Sequence, residues 1–150
     1  MRGISLIMPV YHAGRRPEEI GHFRQALDSL VELSLSPHMV PFELIIIDDA
    51  SENPQTQNII NEYASHYPWI KALQNEVNSG PSFARNRALD IAQYDHIAGV
   101  DADDILTPNT AKFYNRAVSL LTRDPYMAYV NPKIKQFGTF NCLALIPRHI

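Results

Sequence analysis

The sequence contains very little cysteine: Cys142 is the only one among 150 residues. A disulfide within the chain is therefore excluded, and so are a zinc ribbon and a CxxC redox pair, since each needs at least two cysteines. Chains without disulfides are typical of reducing compartments, which favours the cytoplasm. Because Cys142 lies in an apolar run, we expect it in the core rather than acting as a nucleophile.

Long hydrophobic segments are also missing. The longest stretches without a charged residue are 3–14 and 136–147, and both are too short to span a bilayer. The first residues run directly into a strand-like stretch containing Pro9, which is unlike a signal peptide. We therefore predict no transmembrane segment in this chain, and a location in the cytoplasm or at the cytoplasmic face of a membrane.

The chain has no excess of basic charge. It carries 13 Lys and Arg against 16 Asp and Glu, for a net charge of −3. Binding to a nucleic-acid backbone relies on basic residues that release counterions, so we predict no nucleic-acid partner. The charge is unevenly spread, because residues 105–150 hold one acid and six bases. This basic part forms either a solvated face or the lining of a cleft for an anionic substrate.

Two common nucleotide-binding motifs are absent. No G-x-G-x-x-G occurs, which excludes a dinucleotide-type Rossmann domain, and no G-K-[ST] occurs, which excludes a P-loop. A haloacid-dehalogenase-like phosphatase carries a DxD motif on its first strand. The DxD motif of this chain follows the fourth predicted strand instead.

What the sequence does contain is a regular alternation of strand and helix patterns. Short apolar runs predict strands at Ile4–Val10, Phe42–Asp48, Trp69–Leu73, His96–Val100 and Met127–Val130, with a sixth candidate at Thr139–Ile146. Apolar residues at helical spacing predict helices between them, one capped by Asn53 with Pro54 at its first position, and one capped at Thr107–Pro108. This alternation predicts an α/β fold with a mainly parallel sheet and helices on both faces. No linker is visible, so we predict one domain over residues 1–150.

Acidic residues follow two of the predicted strands. Asp48 and Asp49 end the second strand, and Asp101, Asp103 and Asp104 follow the fourth. Ligands of such sheets bind beyond the carboxyl ends of the strands, so we expect these five carboxylates to converge there. The three carboxylates of residues 101–104 repel one another, and Mg²⁺ or Mn²⁺ would relieve that repulsion by taking oxygen ligands. The alternative is a solvated acidic turn that caps the following helix.

The pair at the second strand end also has two interpretations. A carboxylate at Asp48 or Asp49 could accept a hydrogen bond from a nucleobase or from a ribose hydroxyl. The alternative is that the pair caps the next helix together with Ser51 and Asn53. Tyr11, after the first strand, either stacks on a base or fills the core.

A glycine turn at Asn78–Gly80 opens the third predicted helix. Free backbone N–H groups at a helix N-terminus bind anions, and Arg85 and Arg87 would add positive charge. The alternative is an ordinary helix start whose arginines pair with local acids.

Taken in order, these motifs resemble family-two glycosyltransferases of the GT-A fold. The resemblance covers about two-thirds of the chain and is carried by Ile4–Tyr11, Phe42–Ser51, Asn78–Gly80, Ala84–Asn86 and Val100–Asp104. It implies inverting transfer of a sugar from a nucleotide diphosphate-sugar, with a UDP-sugar as the expected donor, to a glycan or lipid-linked acceptor. That activity belongs to polysaccharide biosynthesis.

The resemblance also implies roles for individual residues. Pro9 and Tyr11 would line the base pocket, and Asp49 would read the base with support from Asp48. The ribose and an Mn²⁺ or Mg²⁺ ion would be bound by Asp101 and Asp103, with Asp104 as the alternative metal ligand. Arg85 would lie near the diphosphate.

This chain departs from the family pattern at His12, in the longer loops at residues 12–19 and 34–41, and at the C-terminus. His12 stands where the family usually has Asn. The family's domain also continues further and supplies the acceptor site and a catalytic carboxylate, whereas Asp124 is the one acid after Asp104 here. We therefore assign no catalytic base, and expect the 150-residue chain by itself to bind a donor but transfer it poorly. The alternative functions are a non-catalytic nucleotide-sugar-binding module and a metal-dependent phospho- or nucleotidyltransferase.

Overall fold

The chain is organised by one parallel sheet. The computed structural model describes residues 1–13, 16–124, 129–130 and 143–144. In chain order the elements are β1 (Ile4–Val10), α1 (Pro17–Ser34), β2 (Phe42–Asp48), α2 (Pro54–His66), β3 (Ile70–Gln74), α3 (Pro81–Ile91), β4 (His96–Gly99), α4 (Asn109–Arg123), β5 (Tyr129–Val130) and β6 (Leu143–Ala144). The first four strands form the sheet, and β5 pairs with β6 in a separate antiparallel ladder.

The strand order in the sheet is β3-β2-β1-β4, and all three pairings are parallel. Ile4 at the start of β1 faces Phe42 on one side and His96 on the other, so β1 is a central strand. The run of residues 44–47 in β2 is fully buried. A strand that is covered on both faces has a continuous apolar sequence. The apolar runs therefore predicted β1 and β2 correctly.

Helices cover both faces of the sheet, as predicted. Alternate residues of a strand point to opposite faces, and the core is accordingly divided in two. Met8 and Ile46 pack in the cluster that α1, α2 and α4 cover, while Ile7 and Ile45 pack in the smaller cluster that α3 covers. Each fully buried aliphatic side chain contributes about 1.5–3 kcal/mol, so the larger cluster dominates the stability of the fold.

Most element boundaries agree with the sequence patterns. Helix α2 starts at Pro54, and the side chain of Asn53 accepts a hydrogen bond from the N–H of Gln55 at 2.9 Å, as predicted. The predicted cap at Thr107–Pro108 is wrong in detail, because α4 starts one residue later and no side-chain hydrogen bond caps it. Strand β3 is shifted by one residue toward the C-terminus.

Only part of the predicted C-terminal structure lies within the described residues. Strands β5 and β6 lie within the fifth and sixth predicted strands, but they pair with each other and do not extend the parallel sheet. Met127, Cys142 and three of the basic residues, Lys133, Lys135 and Arg148, lie outside the described residues. No helix within the described residues is long and apolar enough to cross a membrane.

Candidate functional site

A crevice opens at the carboxyl edge of the sheet, between the ends of β1 and β4. The chain leaves β1 toward β2 through α1 on one face, and reaches β4 from β3 through α3 on the other face. Ligands of open α/β sheets bind where the strand order reverses in this way. A cavity of about 370 Å³ lies at this point, and its lining includes Tyr11, His12, Glu19, His22 and Asp103.

Tyr11 presents its ring to this cavity. Its side chain is 51% exposed, so the alternative that it fills the core is excluded. The ring packs edge-on against His12, with 4.1 Å between centroids. Pro9, two residues earlier, is half-buried opposite Ile47 of β2. Tyr11 therefore offers an accessible aromatic face at the end of the central strand.

The loops after β1 and β2 are locked together in a strained conformation. His12 has a φ of 54° and Ala50 a φ of 60°, a region that residues with a side chain rarely adopt. The N–H of His12 donates to the hydroxyl of Ser51 at 2.8 Å. Strain of this kind persists where the surrounding structure fixes it, and it concentrates at functional sites.

Asp49 is buried and held entirely by N–H donors. The side-chain amide of Asn75 donates to Oδ1 at 2.6 Å, the N–H of Ser79 lies 3.0 Å from Oδ1, and the N–H of Gly80 donates to Oδ2 at 2.7 Å. Burial raises the pKa of this carboxyl, but the three hydrogen bonds outweigh it and hold the pKa below its usual range. Asp49 is thus an ionised acceptor that N–H donors hold in place.

These bonds change the interpretation of the glycine turn. Of the two interpretations, free N–H groups for an external anion do not hold at Ser79 and Gly80, because the anion that these groups bind is Asp49. Gly80 adopts a φ of 88°, which glycine tolerates without strain, and it is the residue before α3. Asp49 therefore fixes the start of α3 to the end of β2.

Asn75 is a site residue that the sequence patterns did not reveal. Arg87 on α3 donates to the amide oxygen of Asn75 at 2.6 Å and to the carbonyl of Gln74 at 2.7 Å. The arginine thereby orients the amide so that its N–H₂ group faces Asp49. A sequence signal for Asn75 did exist, because it is a polar residue that directly follows β3 at the same edge of the sheet.

Asp48 lies beside Asp49 but points to the other face of the sheet. Its Oδ1 accepts the N–H of Ser51 at 3.1 Å, which supports the view that it caps local backbone. Its Oδ2 is buried and has no hydrogen-bond partner among the described residues. Asp48 therefore supports the strained loop at Ala50 rather than sharing the surroundings of Asp49.

The acidic residues after β4 are more open. Asp103 is exposed and lines the cavity, while Asp101 is half-buried. The N–H of Asp104 donates to the carbonyl of Asp101 at 3.1 Å, and the N–H of Leu106 donates to Ser29 on α1 at 3.0 Å. These bonds hold the loop in place. Because α4 begins only at residue 109, these acids do not cap it.

Repulsion among these acids remains uncompensated. Burial raises the pKa of Asp101, the nearby charges of Asp104 and Asp103 raise it further, and Arg85 lowers it only in part. The Nη2 atom of Arg85 lies 3.7 Å from Oδ1 of Asp101, and both side chains are nearly half exposed. The alternative that Arg85 pairs with a local acid is therefore realised, although the contact is long.

The carboxylates do not form a ready-made metal cage. Within the described residues, no three His, Cys, Asp or Glu side chains come together as a set that could hold a metal ion. The expected convergence of all five carboxylates is therefore wrong, since Asp48 and Asp49 are engaged inside the fold. The oxygens of Asp101 and Asp103 still fit Mg²⁺ or Mn²⁺, which need only one or two carboxylates when phosphate oxygens and water complete the coordination.

The parallel sheet with helices on both faces, and the crevice at its carboxyl edge, belong to the GT-A glycosyltransferase fold. The chain resembles TarS of S. aureus, solved in complex with UDP, with a TM-score of 0.63 and 28% sequence identity over 81% of this chain and 32% of that one. Residues 5–142 match the model of glycosyl transferase family 2. The chain belongs to this family.

Two relatives illustrate the extent of the similarity. The uncharacterized glycosyltransferase YibD of Escherichia coli is 35% identical over 105 residues, which are 70% of this chain and 27% of YibD. The putative glycosyltransferase EpsE of Bacillus subtilis is 35% identical over 138 residues, which are 91% of this chain and 45% of EpsE. The chain thus spans less than half the length of these relatives.

Proposed function

We propose that the chain is the donor-binding part of a metal-dependent glycosyltransferase. It would transfer a sugar from a UDP-sugar, with inversion, to a hydroxyl of a glycan or lipid-linked acceptor. The observation that carries the proposal is the cavity at the strand-order reversal, lined by the exposed ring of Tyr11 and by Asp103, in a member of glycosyl transferase family 2. The UDP bound in TarS, at 28% identity, supports a uridine nucleotide as the ligand.

The base would bind between Tyr11 and Asp49. The exposed tyrosine ring would supply a stacking surface, Pro9 would line the base pocket with it, and Asp48 holds the adjoining loop. A carboxylate offers about four lone-pair positions, and Asp49 receives three N–H donors from the protein. The N–H of Ser79 is shared between the two oxygens, at 3.0 Å from Oδ1 and 3.2 Å from Oδ2, and the imide N–H of uracil would be a fourth donor to Asp49. The lowered pKa of Asp49 favours the ionised acceptor.

The diphosphate would bind between Arg85 and the acids after β4. Asp103 and Asp101 would hold Mg²⁺ or Mn²⁺, with Asp104 as the alternative ligand and Asp101 also near the ribose. When bound, such an ion neutralises negative charge on the departing nucleoside diphosphate. Arg85 would contribute a second positive charge, for which its half-exposed guanidinium is available.

The proton of the acceptor requires a base that we place outside the donor site. An inverting transfer needs a carboxylate that takes this proton as the new bond forms. Asp124, the one acid after Asp104, is the C-cap of α4 and so lies at the far end of that helix from the acidic loop. We propose that a further part of a longer transferase supplies this carboxylate.

A thermal-shift experiment tests the proposal directly. With UDP at about a hundred times its dissociation constant and manganese present, we expect about 2.7 kcal/mol of stabilisation. Asp103→Asn should abolish the part of this gain that depends on the metal, and Asp49→Ala should weaken uridine binding with or without metal. Asp90→Asn, which removes an exposed carboxylate near the C-terminal end of α3, is the matched control and should behave as wild type.

Three outcomes would contradict the proposal. If no nucleotide shifts the melting temperature with manganese or magnesium, the donor site is wrong. If Asp49→Ala weakens uridine and inorganic diphosphate equally, its effect is on folding and not on the base. If the products of a UDP-sugar show a cleaved phosphoanhydride instead of a cleaved sugar–phosphate bond, the chemistry is phosphoryl or nucleotidyl transfer.

A further inference from the structure

The outer face of α4 carries a basic groove that the proposed donor site does not use. Lys112, Arg116 and Arg123 are all exposed on this helix. Together with His38 they line a groove of about 460 Å³, whose walls also include Asn115 and Leu120. We call this surface the α4 basic groove.

The cations of this groove differ in ion pairing from other basic residues in the described part of the chain. Elsewhere in the fold, Arg24 lies 2.7 Å from Glu62 and Lys71 lies 2.7 Å from Glu43. No such ion pair is made by the three α4 cations within the described residues. Residues 125–150 contain no acid, so an anionic surface would complement the groove.

The groove is too long for a single phosphate ion. Arg123 lies eleven positions after Lys112, and at a rise of 1.5 Å per residue this is about 16 Å along the helix. The cations can therefore contact several anionic groups spread over a surface. That arrangement suits a field of headgroups better than one small anion.

Exposed leucines accompany the positive charge. Leu120 in the groove is 37% exposed, and Leu35, at the end of α1, is 80% exposed. The segment that follows Leu35 is fixed to α4, since the side chain of Asn115 donates to the carbonyl of His38 at 3.1 Å. Basic residues combined with exposed apolar ones on one face are typical of surfaces that lie on anionic bilayers.

We propose that the α4 basic groove docks the protein on an anionic phospholipid bilayer. The acidic edge with Asp101 and Asp103 would be repelled by the same headgroups, so charge alone orients the molecule. Since α4 starts after the acidic loop and runs away from it, docking along this helix leaves the cavity beside Tyr11 open to the solution. A soluble donor could then enter while the protein remains at the membrane.

Vesicle sedimentation tests this proposal. The protein is mixed with phosphatidylcholine vesicles with or without phosphatidylglycerol, and the pelleted fraction is measured. We expect binding only to the anionic vesicles, falling with added salt. Each removed charge should weaken binding about fivefold, and the triple variant Lys112→Gln/Arg116→Gln/Arg123→Gln on the order of a hundredfold. All three residues are exposed, so melting temperatures should stay near wild type.

Matched controls separate charge position from net charge. The single variant Lys112→Gln is compared with Arg2→Gln, which removes one exposed cation outside the groove and should bind as wild type. Leu35→Ser should weaken vesicle binding without changing its salt dependence. Equal loss in Lys112→Gln and Arg2→Gln, binding to pure phosphatidylcholine, or binding to an acidic polypeptide but not to vesicles would each overturn the proposal. UDP binding is measured in parallel, so a failed donor site is recognised separately.

Discussion

Two acidic strand ends of the same sheet behave in opposite ways. Asp49, after β2, is buried and satisfied by three N–H donors, and its pKa lies below the usual range. Asp101, after β4, is half-buried beside two further carboxylates, and its pKa is raised. One end is therefore held by the fold itself, and the other retains charge repulsion that a ligand would relieve.

The difference shows that a carboxylate at a strand end has no fixed role. Asp49 stabilises the fold, since it joins β2, the loop after β3 and the start of α3. The acids after β4 are held by backbone contacts and by Ser29, and the exposed side chain of Asp103 lines the cavity. Substitutions of the acids after β4 should accordingly affect ligand binding alone, whereas substitutions of Asp49 should affect stability as well as uridine binding.

The largest expected effect is on stability at Asp49. In Asp49→Asn, the new N–H₂ group would face the N–H of Gly80, so a buried donor would lose its acceptor. We expect a loss of about 2–3 kcal/mol in the free energy of unfolding, measured by urea denaturation. Asp103→Asn, at an exposed position, should change stability by no more than about 0.5 kcal/mol. Similar losses in the two variants would contradict the comparison.

The second-largest expected effect is on the way the free energy of unfolding depends on pH in acid. Because the pKa of Asp49 in the fold lies below the unfolded value of about 3.9, its carboxylate stabilises the fold above that pH. The contribution is lost as the pH falls through the folded pKa. We expect Asp49→Asn to flatten the acid limb of a plot of unfolding free energy against pH.

Glu43 at the other end of β2 is the control for this measurement. Burial raises the pKa of Glu43, but bonds from Lys71, Ser5 and the N–H of Gln93 outweigh it and leave the pKa lowered. Glu43→Gln should therefore flatten the acid limb too. An acid limb flattened by Glu43→Gln but unchanged by Asp49→Asn would show that Asp49 does not act as proposed.

The smallest effect concerns two alanines, one at each acidic strand end. Ala50 adopts a φ of 60°, so Ala50→Gly should relieve strain and raise stability by roughly 0.5–1 kcal/mol. Ala102, between Asp101 and Asp103, is not among the described residues with positive φ. Ala102→Gly should lower stability by a similar amount, because it only adds freedom to the unfolded chain. Thermal unfolding that shifts both variants in the same direction would contradict this account.

Much of the fold follows from local patterns in the sequence. Continuous apolar runs located β1 and β2 because both faces of these strands are covered. The Asn53–Pro54 pair located the start of α2 because its cap is formed by neighbouring residues. The start of α4 was less certain, since no side chain caps it.

The site was less accessible because its contacts join distant parts of the chain. Asn75 and Asp49 are 26 residues apart, and the bond between them exists only once α3 has been placed. The expectation that all five carboxylates converge could have been corrected from the sequence. Neighbouring residues at a strand end point to opposite faces, so Asp48 and Asp49 could not both have faced one ligand.

The central position of β1 has a consequence for synthesis on the ribosome. Of the four strands of the sheet, β1 leaves the exit tunnel before the others. One of its edges pairs with β2, but its other partner is His96–Gly99. Until β4 emerges, an apolar strand therefore presents an unpaired edge, which is a template for association with other chains. The nascent protein would depend on chaperones most during the translation of the residues between β2 and β4.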